Sequence, residues 1–342
     1  MPDPTLKTVA GRAGVNVGTA SRALDPNRQW QVRPQTRARV LVAAEQLNYR
    51  PHALARGLRS GKSLTAGLVV ADLGNPFVAP LIRGFSRAVK QHGLLAINVE
   101  TEDDSTGLRS VVEDLLNRRV DALAITAIRL GDRPFISELI RQQVPLVLAS
   151  RPLPELDVPT VVHDSLRAGF LAAEHLHQLG HCVVGMIKGS DDIQSFLDRG
   201  AAFRENAQRL GMTVLEVGCG MASDYLRDGH DQMEMILGRG PTPTGVFAEN
   251  DLMAVGAIDA IREAGLRCPE DISVVGHDDV PLADHLDPSL TTIHTRGDEV
   301  GRLAGEMLAA MLGGAREPPQ SVVLVPRLVA RRSTGPAPVL AR

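Results

Sequence analysis

The first 62 residues carry apolar side chains at helical spacing. The pattern predicts three helices, over residues 6–13, 17–24 and 34–47. Thr5 and Asn16 are suited to cap the first two, and Pro34 stands at the favoured first position of the third. Gly14 separates the first helix from the second. A helix, a glycine-containing turn and a second helix predict a small all-α helix-turn-helix head, the arrangement whose second helix enters the DNA major groove. A generic two-helix turn without a DNA partner is the alternative that the spacing leaves open.

From residue 63 onward, short apolar runs alternate with helical stretches. The predicted strands are residues 64–71, 94–99, 122–126, 146–149, 183–187, 213–217, 245–248, 272–275 and 322–325. The predicted helices are residues 77–91, 107–118, 165–179, 201–210, 252–264 and 299–312. This alternation predicts an α/β body of doubly wound parallel sheets, in which ligands bind beyond the carboxyl ends of strands.

The charge of the chain is unevenly distributed. Residues 1–62 hold eleven Lys and Arg against three Asp and Glu, a net charge of +8, although the whole chain has −3. The other 280 residues hold 26 basic and 37 acidic side chains, a net charge of −11. A basic head on an acidic body indicates a module that binds a polyanion, while a solvated terminal arm is the plainer alternative.

The composition narrows the class of protein. The N-terminus has no basic stretch followed by an apolar one, and no apolar run approaches the length that spans a membrane. Three cysteines (Cys182, Cys219 and Cys268) form no close pair, which suits a reducing compartment. We therefore expect a cytoplasmic protein without a membrane partner. No Walker loop or Gly-x-Ser-x-Gly elbow is present, and no cofactor is expected.

The head contains a series of short sequence motifs, and their order along the chain is characteristic. They are Leu6-Lys7-Thr8-Val9-Ala10, Ala13-Gly14-Val15, Thr19-Ala20-Ser21-Arg22-Ala23-Leu24, Thr36-Arg37, Val40, Leu47-Asn48-Tyr49-Arg50-Pro51 and Ala55-Arg56-Gly57-Leu58. With these motifs the chain resembles the lactose-repressor (LacI/GalR) family of bacterial transcription regulators. The resemblance implies a head over residues 1–50, a hinge helix over 51–62, an effector-binding and dimerisation domain over 63–334, and a tail over 335–342.

The resemblance also implies the residues that contact DNA. Val17, Gly18 and Arg22 match recognition-helix positions that face base edges, and Arg22 suits guanine O6 and N7. Thr19 and Ser21, with Thr5, are expected on the phosphate backbone. In the hinge, Ala55, Leu58 and Arg59 match minor-groove positions, with Leu58 as the wedge that kinks the duplex. The alternative is that Leu54 and Leu58 form one apolar face of a linker helix.

The chain departs from the family between its second and third helices. Residues 25–33 are about two residues longer than usual and contain Trp30, the only tryptophan. Trp30 has two alternatives: it packs over the helix bundle or touches backbone phosphate.

The family resemblance continues through the body. Its motifs are Asn75-Pro76-Phe77, His175-Leu176, Leu179-Gly180-His181, Arg199-Gly200-Ala201, Ala248-Glu249-Asn250-Asp251-Leu252-Met253-Ala254, Ala264-Gly265, residues 269–279 and Leu290-Thr291-Thr292-Ile293. They imply two lobes of periplasmic-binding-protein type with an effector in the cleft. The N-lobe is expected over 63–161 and 294–322, and the C-lobe over 164–290 and 323–334.

The resemblance places Phe77, Ser150, Arg199, Asn250 and Asp278 in the cleft. Their guanidinium, carboxylate, amide and ring suit a polyhydroxylated ligand. The plainer alternatives are that Asn250 caps a helix and that Asp278 only ends a strand.

Two cleft positions depart from the family, and nearby arginines suggest a ligand charge. Ser150 stands where aspartate is frequent, and His277 replaces the frequent aromatic residue. Because Arg129 and Arg151 follow N-lobe strands, a sugar derivative carrying a carboxylate or phosphate is our hypothesis for the effector.

The sequence therefore predicts a DNA-binding regulator, most simply a repressor, that binds near-palindromic operator DNA as a homodimer and is controlled by a small-molecule effector. A solute-binding protein would explain the body but not the basic head. A sugar-processing enzyme would need a nucleophile, metal or cofactor signature. His175, His177, His181 and Cys182 resemble a metal cluster, but their spacing points them to different faces, and no metal is predicted.

Overall fold

A computed structural model describes residues 4–25, 28–49, 63–103, 106–218, 224–314 and 320–338. The chain forms two compact units, Met1–Ser63 and Leu64–Arg342. We refer to them as the head and the body. Within the described residues, no helix is both long enough and apolar enough to cross a bilayer.

The head contains the three predicted helices. They are α1 (Leu6–Ala13), α2 (Val17–Ala23) and α3 (Pro34–Gln46), with a short 3-10 helix at Gln29–Gln31. Val9, Ala20 and Val40, one from each α-helix, are fully buried and form the centre of the small core. Gly14 ends α1 with φ 63, a left-handed conformation that glycine adopts without a steric penalty.

The first part of the body is the N-lobe. In chain order its elements are β1 (Thr65–Val70), α4 (Val78–Gln91), β2 (Leu95–Glu100), α5 (Gly107–Asn117), β3 (Ala122–Ile125), a 3-10 helix (Leu130–Asp132), α6 (Arg133–Arg141), β4 (Leu146–Ala149) and β5 (Thr160–His163). The chain then enters the C-lobe with α7 (Ser165–Gln178), β6 (Val183–Ile187), α8 (Gln194–Arg209), β7 (Thr213–Glu216), α9 (Tyr225–Leu237), β8 (Gly245–Ala248), α10 (Asp251–Glu263), β9 (Ser273–Asp278) and β10 (Thr291–His294). It returns for α11 (Gly297–Leu312) and β11 (Val322–Leu324) and ends with β12 (Arg327–Val329).

Each lobe is built on a six-stranded sheet. The N-lobe order is β11-β5-β4-β3-β1-β2, with every pair parallel. The C-lobe order is β12-β10-β9-β8-β6-β7, with only β12 antiparallel to its neighbour. The direction of winding reverses at β1 in one sheet and at β6 in the other, and such a switch point opens a crevice beyond the carboxyl ends. The predicted fold class is confirmed.

The chain crosses between the lobes three times, and two crossings fall later than predicted. β10 pairs with β9 up to His294, so the C-lobe extends past residue 290. β11 pairs with β5 up to Leu324, so the N-lobe extends past residue 322. The crossings therefore follow the strands at residues 295–296 and 325–326, because sheet pairing holds each strand in its lobe to the last residue.

Helix α4 is held tightly against α11 on the N-lobe sheet. A side chain at Gly84 would place its Cβ 2.0 Å from the carbonyl oxygen of Asp298, so only glycine allows this approach. Phe77 is the N-cap residue of α4, and a Cβ at Gly297 would lie 3.2 Å from its ring. Phe77 packs against the apolar cores of both lobes and so lies at their boundary.

Candidate functional site

Helix α2 presents a mostly exposed surface at its beginning. Asn16 caps it by accepting a hydrogen bond from the Thr19 backbone N–H at 2.7 Å. Val17 is 43% exposed and Gly18 is also exposed, while Thr19 and Ser21 are half-buried. Thr5 is engaged in capping α1 through Thr8. The residues predicted to read bases thus lie on this helix. The predicted capping role of Thr5 is confirmed, and its contact with DNA stays a prediction.

Arg22 is the residue of α2 best suited to recognise a base. Its Nη2 lies 3.5 Å from Thr19 Oγ1, at the limit of a hydrogen bond, and its buried Nε has no partner within the described head. A guanidinium that makes so few internal bonds keeps its paired donors for a ligand.

The remaining predicted DNA contacts have different outcomes. Trp30 lies in the 3-10 helix and is 79% exposed, so it does not pack over the helix bundle. The predicted hinge positions Ala55, Leu58 and Arg59 lie outside the described residues.

Ser150 and Asp278 occupy strained positions at the carboxyl ends of strands. Ser150 follows β4 with φ 70, and Asp278 ends β9 with φ 118. A non-glycine residue in such a conformation costs about 1–3 kcal/mol, and residues of this kind cluster at ligand sites. Both are residues that the sequence had placed in the cleft, so their backbone geometry supports a binding site there.

Arg199 is the centre of a buried polar cluster on the C-lobe side. It projects from α8, is 3% exposed and donates to the carbonyl oxygen of Glu249. It also donates to His277 Nδ1 at 2.6 Å. Because arginine has no acceptor, Nδ1 of His277 must accept, and the ring proton therefore lies on Nε2. His277 Nδ1 also lies 3.0 Å from Asp278 Oδ1, which adds the third residue of the cluster.

Burial shifts the titration of this cluster. It raises the pKa of both Glu249 and Asp278 to about 7, although the charge of Arg199 opposes the shift. Burial also lowers the pKa of His277 well below its usual value, and Arg199 adds to this effect. At neutral pH the imidazole is therefore uncharged, while the two carboxyls are close to their midpoints.

Replacing Glu249 by glutamine should change how stability depends on pH. The pKa of Glu249 in the folded protein, about 7, lies above its usual value of 4.5. The contribution of the protonated carboxyl to stability is therefore complete below pH 4.5 and is lost as the pH rises through about 7. Relative to Glu249→Gln, we expect the wild type to lose about 1–3 kcal/mol of unfolding free energy between about pH 5 and about pH 8. Urea unfolding of both proteins at the two pH values measures this difference. A difference that does not vary with pH would contradict a raised pKa.

His163 joins this cluster, although the sequence gave no sign of it. It ends β5 at the first crossing between the lobes, is 6% exposed, and its ring centroid lies 5.3 Å from that of His277. Neither ring nitrogen of His163 has a hydrogen-bond partner among the described residues, and neither does Nε2 of His277. Burial, His277 and Arg199 keep the pKa of His163 well below its usual value. Two neutral imidazoles therefore carry polar atoms that only another molecule would satisfy.

Arg129 and Arg151 are occupied by carboxylates of the protein. Arg129 Nη1 donates to both carboxylate oxygens of Asp192, at 2.8 and 2.7 Å, and its Nη2 lies 3.0 Å from Asp103 Oδ1. Arg151 donates to the two oxygens of Asp103 at 3.1 and 3.3 Å. The prediction that these arginines make the cleft cationic is wrong, because their charges are balanced within the chain.

The remaining predicted residues have structural contacts. Asn250 caps α10 by accepting from the Met253 backbone N–H at 2.7 Å, as its plainer alternative proposed. His175 lies 3.0 Å from the Thr334 hydroxyl, and His181 lies 2.9 Å from that of Thr244. Both histidines thereby tie the end of α7 to neighbouring segments.

Comparison with known proteins identifies the family. The model described as bacterial regulatory proteins, lacI family, matches residues 5–52, and a periplasmic binding protein-like domain matches residues 173–334. The ribose operon repressor of Escherichia coli (strain K12) is 33% identical over 333 residues, which are 96% of this chain and 99% of that protein. The chain belongs to the LacI family.

Two further relatives of the LacI family resemble this chain along nearly its whole length. The HTH-type transcriptional repressor CytR of E. coli (strain K12) is 31% identical over 337 residues, covering 98% of this chain and 97% of that one. The crystal structure of the Lac repressor dimer bound to operator and the anti-inducer ONPF matches with a TM-score of 0.85 and 28% identity, covering 97% of this chain and 99% of that chain.

Membership of the LacI family decides between the classes that the sequence left open. A solute-binding protein would account only for the body, whereas the LacI model matches the head itself. The chain is a transcriptional regulator that binds operator DNA and responds to a small-molecule effector. The relatives named above are repressors rather than enzymes.

Proposed function

We propose that this chain is a cytoplasmic, non-enzymatic repressor that acts as a homodimer and is controlled by an uncharged, hydroxyl-rich small molecule between its lobes. The observation that carries the ligand class is the pair of buried, neutral imidazoles of His163 and His277 with unpartnered ring nitrogens. The charged side chains near these imidazoles also favour an uncharged ligand, and the names of the relatives favour repression.

A neutral imidazole offers one donor and one acceptor, which matches a hydroxyl group. His163 provides both, and His277 provides the Nε2–H donor, since Arg199 occupies its Nδ1. Leaving such atoms buried and unpaired costs about 1–3 kcal/mol each, so a ligand that bonds to them gains free energy. The Asp278 carboxyl adds an acceptor for a further hydroxyl.

An acidic effector is disfavoured by the state of the N-lobe arginines. Arg129 and Arg151 already bind Asp103 and Asp192, so a carboxylate or phosphate would have to displace a carboxylate of the protein. It would also approach Asp278, whose ionised form repels an anion. An uncharged sugar meets neither obstacle. The ribose operon repressor, one of the relatives, is named for an operon of such a sugar.

In the head, we propose that Arg22 reads a base while Val17 and Gly18 allow close approach in the major groove. Thr5, Thr19 and Ser21 would contact phosphates, and Ala55, Leu58 and Arg59 would act from the hinge in the minor groove. Each half-site would be read by one head of the dimer.

The test measures binding of the purified protein to DNA from around its own gene. The assay is repeated with uncharged sugars, sugar acids and sugar phosphates. We expect a sequence-preferring complex that an uncharged sugar weakens, while the acidic derivatives have no effect. Weakening by only an acid or a phosphate would reject the ligand class, and tightening by the ligand would make it a co-repressor. Absence of any sequence preference at low salt would reject the function itself.

A further inference from the structure

The network around Asp103 joins the two lobes directly. Asp103, Arg129 and Arg151 belong to the N-lobe, where they follow β2, β3 and β4. Asp192 follows β6 in the C-lobe, and Tyr225 is the first residue of α9. All five residues therefore stand beyond the carboxyl ends of strands or at the beginning of a helix, on the sides of the lobes that face each other.

Four kinds of contact cross from one lobe to the other. Arg129 binds both oxygens of Asp192, and the Leu130 backbone N–H donates to the Asp192 carbonyl oxygen at 2.7 Å. The Tyr225 hydroxyl donates to Asp103 Oδ2 at 3.1 Å. Arg151 Nη2 in turn lies 3.4 Å from that hydroxyl. None of these contacts involves the His163 and Arg199 cluster.

The charges are arranged so that closing the lobes completes their balance. On the N-lobe, two arginines share the single carboxylate of Asp103, whose side chain is 5% exposed. The side chains of Arg129 and Arg151 are 10% and 13% exposed, so water compensates the excess positive charge poorly while the lobes are together. Asp132 of the N-lobe accepts from the Arg129 backbone N–H, and the carboxylate of Asp192 gives the Arg129 guanidinium its second ion pair from the other lobe.

Backbone geometry also favours a built arrangement over a chance surface pair. Glu102 and Asp103 both adopt left-handed conformations, with φ 56 and φ 48. The Asp103 backbone N–H donates to the Ala71 carbonyl oxygen at 2.7 Å, which anchors this turn to the strand next to it. Ser190 donates to Asp192 Oδ1 at 2.6 Å and orients that carboxylate. Partners on both sides thus hold the two acidic side chains in place.

We infer that Asp103, Arg129, Arg151, Asp192 and Tyr225 form a clasp that holds the lobes closed when no effector is bound. The clasp consists of positioning residues, since none of them belongs to the proposed ligand-binding cluster. Its strength sets the fraction of molecules that are closed before an effector arrives. If the proposed function holds and the effector binds the closed form, weakening the clasp lowers the closed fraction, and the apparent effector affinity falls in proportion to that fraction.

Hydrogen exchange at the Leu130 amide tests the clasp without effector or DNA. This amide has its acceptor in the opposite lobe, so it exchanges when the lobes separate. In the full chain, Asp192→Asn keeps the backbone acceptor and the size of the side chain but removes the charge that Arg129 binds. We expect the Leu130 amide to exchange about fivefold faster or more in this variant. Tyr225→Phe, which keeps the ring, should accelerate it by a smaller factor.

Asp191→Asn is the matched control. Asp191 is the next residue in the chain, is exposed, and pairs with Lys188 of its own lobe at 3.3 Å. In the Asp191→Asn variant, the Leu130 amide should exchange at the rate of the wild type. Unchanged exchange in both Asp192→Asn and Tyr225→Phe would overturn the clasp, and so would equal acceleration by Asp191→Asn. Since the readout needs no ligand, a failure of the clasp is distinguishable from a failure of the proposed function.

Discussion

Replacing Arg22 by alanine should weaken binding to the specific operator by about 5- to 150-fold, or about 1–3 kcal/mol, and spare binding to unrelated DNA. Among residues 17–23, Arg22 is the only side chain that can place two donors on a guanine edge. Val17 offers apolar contact and Gly18 has no side chain, so neither can replace it. Titration of the variant against operator and scrambled DNA at one salt concentration measures the effect.

The control for the Arg22 prediction removes the same charge elsewhere. Arg39 is exposed on α3, so Arg39→Ala lowers the net charge of the head by one unit without altering α2. It should weaken both DNA sequences equally or leave both unchanged, because a phosphate contact carries no sequence information. If Arg22→Ala behaves in the same way as Arg39→Ala, Arg22 is a phosphate contact and the base reader lies elsewhere.

The three α-helices of the head were predicted from the sequence to within one residue at each end. These helices have local signals at both ends, namely the caps Thr5 and Asn16, Gly14 and Pro34, and such signals need no tertiary contact. Strands such as β1 were predicted because parallel strands buried on both faces are continuous apolar runs. β1 shows this pattern, with five of its six residues buried.

The elements that were missed lack those signals. β10 begins with two fully buried threonines, so it is not an apolar run. β12 is a three-residue strand that begins with Arg327 and pairs antiparallel with β10 at the edge of the sheet. β5 has only two apolar residues, Val161 and Val162, between Thr160 and His163. Helix α6 has only nine residues, and α9, although 13 residues long, contains Arg227, Asp228, Asp231 and Glu234. α8 begins at Gln194 rather than at residue 201. Its first turns mix Phe196 with polar residues such as Ser195 and Arg199, which tertiary contacts bury.

The site was predicted in part, because family motifs identify positions rather than partners. Arg199 and Asp278 lie in one buried cluster, but the motifs gave no sign that His163 would lie beside His277, more than a hundred residues later in the chain. The arginines were misjudged for the same reason. Asp103 and Asp192 follow other strands, and only the two sheets bring their carboxylates to Arg129.

Replacing Asp278 by asparagine should weaken the effector response by about 10- to 150-fold, because a hydrogen bond to a charged group is worth about 1.5–3 kcal/mol. Asparagine keeps the size of the side chain but presents one acceptor oxygen instead of two. Operator affinity without effector should stay within about threefold of the wild type, since the substitution lies in the body and leaves the head unchanged. The measurement is the concentration of the active sugar that half-dissociates the operator complex.

The pH dependence of the same response separates a direct contact from a structural effect. Burial raises the pKa of Asp278 to about 7, so the ionised form, which accepts hydroxyl hydrogen bonds more strongly, becomes populated as pH rises through that value. Effector affinity of the wild type should therefore increase between about pH 6 and about pH 8, and that of Asp278→Asn should not.

Asp287→Asn provides the matched control for Asp278→Asn, because Asp287 follows the same strand but its side chain is 94% exposed. Its response to the sugar should be that of the wild type at every pH. An Asp278→Asn variant that responds at wild-type concentrations would remove Asp278 from the ligand site. The buried imidazoles of His163 and His277 would then remain as the side chains that hold the effector.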